Sequence, residues 1–136
     1  MKNFSPVDLK ARHAILSGEP GNVSLTLLMS PFLVDGTLVD TSVRLDGVNL
    51  PSNLLSDLAG KSFVFPVNPQ EGYIDGSIYL DDRHHPVDVT SLTFNCSRAG
   101  GLTLLVKGTY LFSVEGLVGL GNMPFQMAAP VSSCAA

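Results

Sequence analysis

The densest group of potentially reactive side chains is the run Asp81-Asp82-Arg83-His84-His85-Pro86-Val87-Asp88. Carboxylates beside imidazoles can share protons or bind a divalent metal. A metal centre needs ligands that converge from several directions and are themselves held in place. Here the groups fall in what reads as one hairpin loop ended by Pro86, and adjacent His84 and His85 point to opposite sides of an extended chain. A solvated turn is the expectation. His84, His85 and Asp88 are the weak metal candidates within it, and no metal site or cofactor is expected.

A second group is Tyr73, Asp75, Ser77 and Tyr79, which alternate with Ile74, Gly76, Ile78 and Leu80. That spacing puts the first four on one side of a strand. Neighbouring strands can add Asp88, Thr90, Lys107 and Thr109 to the same face. Tyrosines with a carboxylate suit a polar ligand or a protein partner, because tyrosine offers a large contact area at small entropic cost. The competing reading is an ordinary solvent-facing surface, on which tyrosine and threonine are good strand formers. Tyr73, Asp75, Ser77, Tyr79 and Lys107 are carried forward as the candidate binding residues. His13 stands apart, with no visible partner, and reads as a packing or surface residue.

Motifs that commit a chain to catalysis are missing. There is no GxSxG, GxxxxGK[ST], HExxH or CxxC, so the nucleophile elbow, the phosphate loop and two common metal arrangements are not signalled. Gly119-Leu120-Gly121 is too short for a nucleotide loop. Paired carboxylates of the glycosidase kind need only meet in space, so twelve acidic residues leave that chemistry open without pointing to it. No catalytic residue is assigned.

The elements that must position these residues are mainly strands. Val23, Leu25, Leu27 and Met29 alternate with Ser24, Thr26, Leu28 and Ser30, the period of a half-buried strand. Asp35-Gly36 signals a two-residue hairpin, and Thr37 to Leu45 reads as the return strand, ended by a turn at Asp46-Gly47. A strand from about Arg12 to Ser17, turning through Gly18 to Gly21, precedes them. Ser5-Pro6 with Asp8 marks a short helix or coil before that. Ser52 to Gly60 reads as a short helix with Ser52 as cap and Gly60 as stop. A short strand over Lys61 to Phe65 follows. The second half reads as a meander: Gly72 to Leu80, Val87 to Cys96, a turn over Arg98 to Gly101, and Leu102 to about Glu115, with a bulge or bend at Gly108.

The expected fold is mainly β, an antiparallel sandwich or partly closed barrel of about seven strands with one or two short helices. It is expected as a single domain over 1–136, with residues 1–11 as an arm or short helix and 116–136 as an uncharged C-terminal segment. That segment carries Leu117, Val118, Leu120, Met123, Phe125 and Met127. It either lies along its own barrel or packs on a second subunit, and the first reading is slightly favoured.

Only 15% of residues are charged, while 45% are hydrophobic. That balance argues against disorder and for some surface being covered by another chain. The net charge of −4 and the absence of a basic run argue against a nucleic-acid partner. No apolar core of a signal peptide follows Lys2, and no stretch approaches the ~18 apolar residues of a membrane span. A cytoplasmic protein with free thiols at Cys96 and Cys134 is therefore expected. The leading expectation is a non-enzymatic binding or protein-interaction module that self-associates as a homo-oligomer, with neither nucleic acid nor membrane as partner. The rivals are a small-ligand-binding β-barrel and a small hydrolase using Asp75, Asp88 or the His84/His85 loop.

Overall fold

A computed structural model describes residues 9–34, 36–80, 83–97, 100–113 and 121–133. The expected N-terminal helix at Ser5 to Asp8, the Asp35 hairpin tip, Asp81, Asp82, Arg98, residues 114–120 and Cys134 lie outside the described residues. In chain order the elements are β1 (Ala11–Glu19), β2 (Asn22–Met29), β3 (Phe32–Val34), β4 (Thr37–Val39), β5 (Ser42–Val48), α1 (Leu55–Leu58), β6 (Ser62–Val64), β7 (Asp75–Leu80), β8 (Arg83–Cys96), β9 (Leu102–Tyr110) and β10 (Met123–Ser133). The fold is mainly β, as expected, and it is a closed barrel of seven strands. Its walls run β8-β7-β5-β2-β1-β10-β9 and return to β8, with β6 added beside the second half of β8.

Alternation decides which residues enter the barrel. On β2, Val23, Leu25, Leu27 and Met29 are buried between half-buried neighbours. Each such side chain removed from water contributes about 1.5–3 kcal/mol. Every neighbouring pair in the barrel wall is antiparallel except one: β1 runs parallel to β10, with Ala14, Leu16 and the residue between them facing Val131, Ser133 and Ser132. Residues 123–133 of the uncharged C-terminal segment thus form a wall strand. Met127, Ala129 and Val131 of β10 face the core, while Pro124, Gln126, Ala128 and Pro130 face out.

Several expected elements come out differently. The return strand from Thr37 is two strands: β4 pairs only with β3, outside the barrel, and β5 starts afresh at Ser42. Asp46-Gly47 is a bulge inside β5 rather than a turn. Val23 faces Val48 while Leu25 faces Leu45, so three steps on β5 match two on β2, and Gly47 takes the extra residue at φ 65. The helix is one turn, Leu55–Leu58, although Ser52 does bond the Leu54 amide and the Asp57 carboxylate. β7 begins at Asp75, three residues later than Gly72.

β8 begins at Arg83, earlier than expected, and is long and bent. Val89 faces Gly108 while Ser91 faces Lys107, so Thr90 is the extra residue. Its inward set changes phase there, from His85, Val87 and Val89 to Leu92 and Phe94. The bulge expected at Gly108 therefore lies on the opposite strand. Gly108 is needed for a different reason: a Cβ there would run into the Asp88 carbonyl oxygen and come within 3.1 Å of the Phe125 ring.

Candidate functional site

The outer face of β7 and β8 carries most of the residues singled out in the sequence. Asp75 and Tyr79 are exposed and Ser77 is half-buried, while Gly76, Ile78 and Leu80 between them are buried. Gly76 is the residue that lets β8 come close, since a Cβ on it would meet the Val87 carbonyl and lie 3.1 Å from Leu45. The pairing sets Tyr79 opposite His84 and Ser77 opposite Pro86. Tyr73, just before β7, Asp75, Ser77, His84 and Asp88 surround one shallow depression of about 200 Å³. Tyr79 joins it through His84, whose ring lies 4.9 Å away and tilted by 59°. Lys107 does not line the depression; it projects, exposed, from β9 opposite Ser91, beyond the Asp88–Thr109 pair.

Acidic and basic side chains both stand on this face, with Arg44 opposite Ser77. Asp75 sits directly across from Asp46 on β5, and like charges in that position repel. Arg44 is bound to Asp46 at 3.2 Å through both carboxylate oxygens, and Ser24 donates to the same carboxylate at 2.8 Å. Among the described residues no ion pair reaches Asp75 or Asp88. Two carboxylates thus flank the depression without an ion pair among the described residues, beside tyrosine rings that offer apolar area, while Arg44 is engaged by Asp46.

The expected solvated turn at His84-His85-Pro86 is corrected by the structure: all three are strand residues of β8. The Pro86 carbonyl accepts the Leu111 amide at 3.0 Å. A strand residue's N–H and C=O point to the same side, so the donor that Pro86 lacks would have pointed past the end of β9, and the ladder to β7 is intact. Alternation then sends His84 outward and His85 fully inside. The two imidazoles cannot share one ligand, and among the described residues no three His, Cys, Asp or Glu side chains gather closely enough to hold a metal.

His85 was not foreseen as a core residue. Its Nε2 lies 3.0 Å from the Leu80 carbonyl oxygen; a carbonyl only accepts, so Nε2 carries a hydrogen. Among the described residues Nδ1 has no hydrogen-bond partner, and neither has the hydroxyl of Tyr110. Burial pushes the Tyr110 phenol well above its ordinary value near 10, so it stays neutral. Phe125, Tyr110 and Phe112 stack in succession at 4.3 and 5.2 Å, and His85 meets Phe112 edge-on at 5.6 Å.

Comparison of the chain with protein-family models, with curated proteins and with solved structures returned no match. Among the described residues no helix is long and apolar enough to cross a membrane.

Proposed function

We propose that the protein is a non-enzymatic interaction module, acting in the cytoplasm, that holds a basic segment of a protein partner on the outer face of β7 and β8. The observation that carries this reading is the pair of carboxylates, Asp75 and Asp88, flanking a depression walled by Tyr73, Ser77 and His84 and lacking an ion pair among the described residues. An incoming Arg or Lys supplies the missing charge, and its alkyl stem packs against the rings. Tyrosine supplies the anchoring area typical of contacts that dominate binding energy.

Affinity capture from the native host's lysate tests the reading, with a Tyr73→Ala/Tyr79→Ala chain as control. One dominant partner, retained by the native chain, lost by the control and released by salt, supports it. A partner held equally by both chains removes this face as the site.

A specific observation favours a second contact. Leu33 and Leu38 lie directly opposite each other on the β3–β4 hairpin, 60% and 66% exposed, while Phe32 and Val34 hold the hairpin to the core. Self-association through this hairpin is the second reading, tested by the concentration dependence of mass in sedimentation.

A further inference from the structure

The ladder between β7 and β8 puts two carboxylates side by side. Gly76 faces Val87 and Ser77 faces Pro86, so the next step of the same register brings Asp75 opposite Asp88. Side chains paired in this way on one face of a sheet have Cβ atoms about 4.5–5.5 Å apart. Asp46 extends the row on the other side of Asp75, and its carboxylate is already engaged by the Arg44 guanidinium and the Ser24 hydroxyl. Among the described residues Asp75 and Asp88 have no ion pair. One aspartate of the row thus holds a guanidinium from its own chain, and the other two stand together beside the depression.

Rings line the rest of the depression: Tyr73, His84 and, between His84 and Asp88 on β8, Pro86. Its volume of about 200 Å³ suits one side chain, below the 300 Å³ or so at which small-molecule sites begin. We propose that the depression takes an arginine side chain from the partner, its guanidinium bridging Asp75 and Asp88 and lying against the Tyr73 ring, and that lysine is no substitute. The proposal rests on the reading of this face as the holder of a basic segment and narrows that segment to one residue type. Two carboxylates side by side repel each other, and a planar cation with five N–H donors on a fixed fork meets both at once. An ammonium is a compact point charge that holds its water strongly, and a shallow depression does not strip that water away. A guanidinium is weakly hydrated and stacks on aromatic faces.

The probes are three capped tripeptides, with arginine, lysine or dimethylarginine between two glycines. Each is titrated into the isotope-labelled full-length chain, and backbone amide shifts are read by NMR. The arginine peptide should saturate shifts at Asp75, Ser77 and Asp88 with an affinity about tenfold above that of the lysine peptide, the size of one charge-assisted hydrogen bond. Dimethylation keeps the charge but removes N–H donors, so that peptide should fall to the lysine level, a comparison that needs no variant. Asp75→Asn with Asp88→Asn should abolish the preference, with folding read from the dispersion of the same spectrum. Equal affinities for arginine and lysine, both lost with the two aspartates, overturn the arginine assignment and leave the basic-segment reading standing. Dimethylarginine bound as tightly as arginine overturns the bridge in the same way. Absence of saturable shifts from all three peptides, or shifts unchanged in the folded double variant, overturns the assignment and the basic-segment reading together.

Discussion

Gly108→Ala tests the way β8, β9 and β10 are held together at their closest approach. Its added methyl would collide with the backbone carbonyl of Asp88 on one side and lie 3.1 Å from the Phe125 ring on the other. The first obstacle is main chain, which cannot rotate aside, and it sits next to the Thr90 bulge where the register with β8 already shifts. Overpacking of this kind costs about 1–3 kcal/mol, and collision with backbone argues for the upper half, about 2–3 kcal/mol. For a chain of this length each kcal/mol moves Tm by about 3–5 °C, so the expected fall is about 6–15 °C. Gly121→Ala is the matched control, because a Cβ there meets nothing within 4 Å, and its change should stay within about 0.5 kcal/mol. Scanning calorimetry of the two variants beside the native chain reads the difference. A Gly108→Ala melt within 2 °C (roughly half a kcal/mol) of the control would refute the close approach.

Tyr110→Phe removes an unpaired buried hydroxyl, so its Tm should equal or exceed that of the native chain, read by the same calorimetry. The folded chain holds the Tyr110 proton more tightly than the unfolded one. Above about pH 10 the unfolded state therefore loses a proton that the folded state keeps, and stability falls with rising pH by up to about 1.4 kcal/mol per pH unit. Urea melts from pH 9.5 to 11.5 should show a shallower fall for Tyr110→Phe. Deleting residues 123–136 removes β10, the strand between β1 and β9, and should abolish the cooperative melt instead of yielding a soluble monomer; a folded monomer would contradict the closed barrel. Leu33→Asp with Leu38→Asp should leave Tm nearly unchanged and reduce any self-association seen by sedimentation.

The strands with clean alternation were legible because burial on one face imposes a period of two. β2 is the clearest case, and the outward set Asp75, Ser77 and Tyr79 followed from the same rule. Bulges were harder. Asp46-Gly47 has the composition of a hairpin turn, yet Gly in the left-handed region serves a bulge equally well, and only the partner strand distinguishes the two. β10 was hidden by its prolines: Met123, Phe125, Met127, Ala129 and Val131 keep the period, but Pro124 and Pro130 read as breakers. They are tolerated on the outward set of a strand that, among the described residues, pairs with β1 only over Val131–Ser133. Pro86 hid the start of β8 in the same way and carried His85 with it into a turn reading. Lys107 was assigned to the candidate site from face alone. The Thr90 bulge displaces β8 against β9, so sharing a face did not place Lys107 beside the depression.

Site-directed photo-crosslinking in the native host tests the interaction reading most directly. Benzoylphenylalanine replaces either Tyr79, on the proposed contact face, or Arg12, exposed on β1 in a different part of the barrel wall. The account predicts a discrete protein adduct from position 79, weakened by Asp75→Asn with Asp88→Asn, and none from position 12. No adduct at 79, or equal adducts at both positions, would contradict the assignment of a partner to the outer face of β7 and β8.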